Sequence, residues 1–325
     1  MDSIEKAHRR IVPYIRRTEC RLAVTLSEAL GGEVYLKLEN LQHSGSFKLR
    51  GVINKILSLS EDESHKLLVT ASTGNHGAAF AHALEFFSLE GKLFMPRIAT
   101  ETKIENIRST GIPFELVGKD CVEAEASAAA FARDHGHVWI SPYNDPRVVE
   151  GQGTIGVELL QQLGRVDAVL APVGGGGLIS GVAGYLKAAD SSIEVIGCQP
   201  VNSCVMYESI EAGEILDIES VPTISDGTAG GIEDGAITFE LCRRYVDDFI
   251  LLEEGEIIGA MRWLHQQEGL TVEGAAALGL AAVLKNVHRF AGRRIALILS
   301  GGRVDEKALA FVVGSNGRPG NGERT

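Results

Sequence analysis

Val166-Asp167-Ala168-Val169-Leu170-Ala171-Pro172-Val173 runs straight into Gly174-Gly175-Gly176-Gly177-Leu178-Ile179-Ser180-Gly181. A nearly unbroken apolar run predicts a strand buried on both faces, and a glycine loop then opens a helix that ends before a second strand at Val195–Cys198. A strand, a crossover helix and a strand of this kind belong to a parallel sheet. Outward from this unit the same alternation continues. Val34–Leu38, Leu67–Thr70, Leu93–Met95, Phe114–Val117, Val138–Ile140, Phe249–Leu252 and Ile295–Leu299 also read as short strands. Between them, Ile155, Leu159, Leu160 and Leu163, and likewise Ile257, Ile258, Met261 and Leu264, share helical faces. The fold class is α/β, with parallel-rich twisted sheets flanked by helices. Leu67 to Ile140 is expected to form a separate four-stranded lobe, and Gly314 to Thr325, rich in glycine, a flexible tail.

Composition narrows the function. The 325 residues suffice for two domains and a large core. A formal net charge of −12 repels nucleic acid and anionic membrane, so neither is an expected partner. No apolar stretch reaches the roughly 20 residues of a membrane span, and the charged N-terminus does not read as a secretory signal. Five scattered cysteines without a CxxC pair suit a reducing compartment, so a cytoplasmic location is expected. Glycine is over-used, at 38 residues, as expected where backbone closes around a ligand.

Four segments carry chemistry. In Ser44-Gly45-Ser46-Phe47-Lys48-Leu49-Arg50-Gly51 a lysine sits just inside a helix start, where the helix end and partial burial lower its pKa and free its amine for Schiff-base formation. Taken alone, such a lysine is usually a solvated surface charge. In Thr70-Ala71-Ser72-Thr73-Gly74-Asn75-His76-Gly77 a strand end enters a helix expected over Ala78–Phe87, and hydroxyls and N–H groups there suit a carboxylate. Taken alone, it could be an ordinary capped turn. Gly174, Gly175, Gly176 and Gly177 offer backbone N–H groups to a phosphate. The loop fits neither GxGxxG with its acidic follower nor GxxxxGK[ST]. Leu299-Ser300-Gly301-Gly302 closes the last strand, at the edge where parallel sheets bind ligands.

In this order the four segments resemble the fold-type-II pyridoxal-phosphate enzymes, and most of all the serine/threonine dehydratase and serine racemase group. TISDG (Thr223–Gly227) and VEGAAALG (Val272–Gly279) are similar to further family segments. The resemblance implies a two-domain fold with the cofactor in the cleft between domains. Residues 1–58 and 146–313 would form the large domain and 67–144 the small one, usually paired as a homodimer. It implies that Lys48 carries pyridoxal 5′-phosphate beside Phe47. Asn75 would hydrogen-bond the cofactor's 3′-oxygen, Gly174 to Leu178 would hold its phosphate, and Ser300 would face its ring nitrogen. Ser72, Thr73 and His76 would hold the substrate carboxylate, and Thr73 occupies the place of an opposite-face acid/base.

A serine rather than an acid at the ring nitrogen favours prompt loss of a β-substituent, so the activity implied is a dehydratase (ammonia-lyase) that converts a β-hydroxy-L-amino acid of the serine/threonine type to a 2-oxo acid and ammonia. Alternatives are a serine racemase, a dehydratase for hydroxyaspartate or a β-aryl-serine, a β-replacement synthase, and an inactive sensor that keeps only the phosphate loop. Racemases of the group carry serine where this chain has Thr73. Metal-binding relatives place carboxylates where Gln199-Pro200-Val201-Asn202-Ser203-Cys204-Val205 has none, so no metal is expected. Arg303 replaces the usual asparagine after Ser-Gly-Gly, with a consequence the sequence leaves open.

Overall fold

The computed structural model describes residues 1–304 together with 309, 310, 312 and 314. The tail expected from 314 onward therefore lies outside the described residues except for Gly314. The described residues form ten strands: β1 Cys20–Leu22, β2 Glu33–Lys37, β3 Leu68–Ala71, β4 Gly91–Pro96, β5 Phe114–Val117, β6 Val138–Trp139, β7 Ala168–Pro172, β8 Glu194–Pro200, β9 Asp248–Leu252 and β10 Arg294–Ile298. They make two sheets, ordered β1-β2-β10-β7-β8-β9 and β5-β4-β3-β6. Every pairing is parallel except β1 with β2.

The continuous apolar runs have a direct cause, because both faces of the larger sheet are covered. Ala168 and Leu170 of β7, with Ile295 and Leu297 of β10, pack against Ala277, Leu280 and Ala281 of the helix Gly274–Lys285. Val169 and Ala171, with Ala296 and Ile298, point the other way, onto Ile155 and Leu159 of the helix Pro146–Leu163 and Ile179 and Val182 of the helix Gly177–Ala189. The smaller sheet repeats the plan. Leu68 and Leu93 pack with Phe80 and Leu84, while Val69 and Phe94 meet Ala124, Ala128 and Ala132 of the helix Cys121–Asp134.

A cluster of four charges is buried here. Lys37 Nζ lies 2.6 Å from Glu158, and the Arg50 guanidinium lies 2.8 Å from both Glu39 and Glu158, all four side chains fully buried. Two cations face two anions, and Thr18 and Thr154 complete the hydrogen bonds, which is the condition for tolerating charge in a core. The cluster ties the end of β2 to the helices Lys48–Ile56 and Pro146–Leu163.

Candidate active site

Lys48 is the first residue of the helix Lys48–Ile56, whose N-terminus has no side-chain cap. The loop before it is strapped to the end of β10. Phe47 N–H donates to the Ser300 carbonyl at 3.0 Å, Ser46 bridges to Gly301, and Gly302 N–H donates to the Gly45 carbonyl. Arg303 adds to the strap, its Nε donating to the Ser44 carbonyl at 3.2 Å. The first and fourth segments are therefore one structural unit, and the role the sequence left open for Arg303 is to hold it together. Lys48 Nζ donates to the Pro142 carbonyl at 2.8 Å. Burial lowers its pKa to about 8 against the opposing pull of Glu125 and Glu273, so far more of it is free amine near neutrality than of an ordinary lysine.

The second segment arrives from β3. The helix here begins at Asn75, three residues before the expected Ala78, and Gly74 caps it without any side-chain bond. Its first N–H groups thus lack capping partners and form a site for an anion. Ser72 and Thr73 are half-exposed on the loop, and Ser72 Oγ accepts from Gly74 N–H. His76 is placed differently from its neighbours. Its ring is buried, with Nε2 on Thr70 Oγ1 at 2.9 Å and near the Ile140 carbonyl. Burial, then Lys48, lower its pKa to about 3, so the ring is neutral, and its contribution to an anion at the loop is its backbone.

The third segment shows why four glycines follow one another. A Cβ on Gly175 would lie 2.5 Å from the Tyr143 ring, and one on Gly176, at φ +84°, would lie 2.8 Å from Met206. On Gly177 it would stand 3.0 Å from Tyr143, and on Gly174 3.1 Å from the Thr228 backbone. The helix Gly177–Ala189 again starts with no side-chain cap. The loop is a backbone cradle with a helix N-terminus at its base. The fourth segment adds Ser300, whose Oγ is buried without a hydrogen-bond partner.

All four segments line one cleft of about 3270 Å³, whose walls come from both sheets. The structure also brings in residues that the sequence reading passed over. Glu273 binds Asn75, whose Nδ2 lies 2.7 and 2.8 Å from its two oxygens. Tyr143 packs on the glycine loop and accepts the Glu233 N–H at 2.9 Å. Burial, then Glu233, raise the pKa of Glu125 to about 8, so it keeps its proton at neutral pH. Tyr143 lies just past β6 and Glu273 inside the VEGAAALG stretch, so position at a strand end and membership of a noted segment were the available signals. Glu125, in the second turn of the helix Cys121–Asp134, gave none.

These residues fit a phosphorylated, aldehyde-bearing aromatic ring. The backbone cradle would receive its phosphate, the orphaned Ser300 hydroxyl its ring nitrogen, and the Lys48 amine its aldehyde.

Comparison with known proteins agrees. The family described as pyridoxal-phosphate dependent enzyme matches residues 11–301. An L-threonine ammonia-lyase of Thermotoga maritima is 41% identical over 313 residues, covering 96% of this chain and 78% of that protein. A catabolic L-threonine dehydratase of Escherichia coli strain K12 is 36% identical, covering 97% of this chain and 96% of the relative. The solved structure of maize serine racemase superposes with a TM-score of 0.87 at 33% identity, covering 96% and 97% of the two chains.

Proposed function

The chain belongs to the pyridoxal-phosphate-dependent enzymes, and from that premise we propose that it is a dehydratase (ammonia-lyase) that eliminates water from L-threonine or L-serine and takes a water back on hydrolysis, releasing ammonia and a 2-oxo acid. The observation that carries the reading is the half-buried Lys48 amine, its pKa lowered to about 8, standing in one cleft with the glycine cradle, Asn75 and Ser300.

Bound pyridoxal phosphate supplies an electron sink for charge that develops at Cα. The protein supplies the rest. The N–H groups of Gly174 to Leu178 and the helix end hold the phosphate. Asn75 meets the ring oxygen and Ser300 the ring nitrogen. Lys48 holds the cofactor and, as a free amine, takes the Cα proton. The uncapped start of the helix Asn75–Phe87, with Ser72 and Thr73, receives the α-carboxylate.

The walls also discriminate among substrates. The cleft's other lysine and arginine, among the described residues, are Lys103, paired with Asp226 at 2.7 Å, and Arg303, bonded to Ser44. Glu125 and Glu233 lie on the wall coupled to Lys48 and Tyr143. A second substrate carboxylate would find no free cation on this wall, which disfavours hydroxyaspartate. Thr73 carries a hydroxyl on a β-branched side chain with restricted rotamers, so elimination is expected to outrun racemisation.

We further read residues 1–58 with 146–313 as the large domain and 67–144 as the small one, supported by the separate sheet β3 to β6. A cytoplasmic homodimer is the working assembly, supported by the family resemblance, by the five free cysteines and by the lack of any described helix long and apolar enough to cross a membrane.

The test is a panel of L-serine, L-threonine, hydroxyaspartate and phenylserine assayed for 2-oxo acid, with chiral analysis of the remaining serine and Lys48→Ala as the control. The first two substrates should be turned over and the control should be inert. D-serine formed faster than pyruvate, or hydroxyaspartate preferred, would refute the reading.

A further inference from the structure

Glu273 precedes the helix Gly274–Lys285 and is wedged between two segments of the chain, at Gly227 and Gly301. A Cβ on Gly301 would lie 2.4 Å from its Oε1 and one on Gly227 3.3 Å. Its carboxylate faces Asn75 Nδ2 at 2.7 and 2.8 Å, while Asn75 Oδ1 is buried with no partner. Seen from Nδ2, the two oxygens of one carboxylate subtend far less than the angle between the two N–H bonds of an amide. They therefore share one hydrogen, and the second N–H is free. An ionised carboxylate only accepts hydrogen bonds, so it draws the amide nitrogen toward itself and turns the amide oxygen away.

We propose that Glu273 is a positioning residue acting through Asn75: ionised, it holds the amide with a free N–H toward the cleft, where the cofactor's ring oxygen can accept it, and on gaining a proton it donates to Oδ1 and lets the amide turn over. This rests on the reading above in which Asn75 meets that oxygen. The charged groups around Glu273 are Lys48 on the helix Lys48–Ile56, Arg303 after β10 and Asp226 at the start of the 3-10 turn Asp226–Thr228. Burial is the largest influence and raises its pKa, the Asn75 amide opposes it, and the balance lies at about 7. Falling pH through neutrality therefore releases the amide.

The test uses the holoenzyme and pyridoxal phosphate itself. The absorbance of the bound cofactor and its dissociation constant are followed on both sides of neutrality in wild type, Glu273→Gln, Glu273→Asp, Asn75→Ala and the double variant Asn75→Ala/Glu273→Gln. Borohydride capture of the cofactor on Lys48 certifies each preparation as folded. In wild type, affinity should weaken about tenfold as pH falls through the transition, the scale of one hydrogen bond to a charged partner. Glu273→Gln should show no step, because a glutamine neither titrates nor dictates the amide's direction. Glu273→Asp should keep a step with a shifted midpoint. With Asn75 already alanine, Glu273→Gln should change nothing further. A step retained in Glu273→Gln, a step lost in Glu273→Asp, or an equal effect of Glu273→Gln with and without Asn75 would overturn the proposal. Asn75→Ala alone leaving both absorbance and affinity unchanged would overturn the reading beneath it.

Discussion

Each of the four consecutive glycines is pressed by a neighbour, Thr228, Met206 or, at Gly175 and Gly177, Tyr143, and this separates a loop built to hold something from a mere turn. Gly175 makes the sharpest case, because the Tyr143 ring lies where its side chain would be. Gly175→Ala must push that ring away and break the bond between the Tyr143 hydroxyl and the Glu233 N–H. We expect a loss of about 1–3 kcal/mol of stability, the range for overpacking, and weakened cofactor binding, read from thermal unfolding and cofactor titration. Gly255, inside the helix Glu254–Glu268 with open space around it, is the contrast: Gly255→Ala should leave cofactor binding alone and add up to about 1 kcal/mol. Equal behaviour of the two variants would show that the contacts of Gly175 do not govern the loop. This scale was only half legible in the sequence. A run of glycines is visible as such, but Tyr143, some thirty residues earlier, reveals its purpose only once the fold brings it near. Glu273 was hidden for the same reason, since its partners Asn75 and Gly301 come from two other segments.

Elements were more legible than their partners. Nine strands stand out because short, largely apolar runs look alike in any order, even where, as in β5, the strand is not fully buried. β1, Cys20–Leu22, does not stand out, since three mixed residues at an antiparallel edge are a strand only by virtue of pairing with β2. The helix start at Asn75 was read too late because asparagine, histidine and glycine are weak helix formers, and packing against the sheet overrides that preference. What fixes the elements to one another is the buried cluster of Lys37, Glu39, Arg50 and Glu158. Arg50 lies two residues after Lys48, so the cluster also sets where the helix of Lys48 sits. Burial raises the Glu158 pKa, but Arg50 and Lys37 outweigh it and hold the carboxyl below its ordinary 4.5. A depressed acid stabilises the fold above that ordinary value, and the contribution is lost as pH falls through the folded one. Arg50→Met leaves two buried carboxylates facing a single lysine. Such a change costs about 3–5 kcal/mol and should lower the urea midpoint at neutral pH. An unchanged midpoint would mean that the cluster contributes nothing to holding these elements.

For the molecule as a whole, the absent carboxylates after β8 bear on what the enzyme needs from solution. Hard divalent cations require clustered oxygen ligands, usually with carboxylates to offset dehydration. Between Gly197 and Met206 the polar side chains are already engaged by the protein. Gln199 donates to the Val173 carbonyl and accepts the Tyr207 N–H. Asn202 donates to the Pro222 carbonyl, Ser203 pairs with Ser220, and Cys204 lies against the Val201 carbonyl. These bonds tie the end of β8 to the segment 220–222, so the loop's shape is set by neutral hydrogen bonds where a bridging cation would otherwise be needed. A magnesium or calcium ion would have to break several of them and would find no charge in return, while Glu208, the nearest acid on the following helix, is itself the neighbour of the Cys204 thiol. We therefore expect turnover to survive exhaustive EDTA treatment and not to rise when Mg²⁺ is restored. The thermal midpoint should likewise be the same with and without the chelator, because a ligand that binds only the folded state raises it by mass action. A several-fold loss of activity with EDTA, reversed by Mg²⁺, would show that acids from another loop assemble a site which these hydrogen bonds do not preclude.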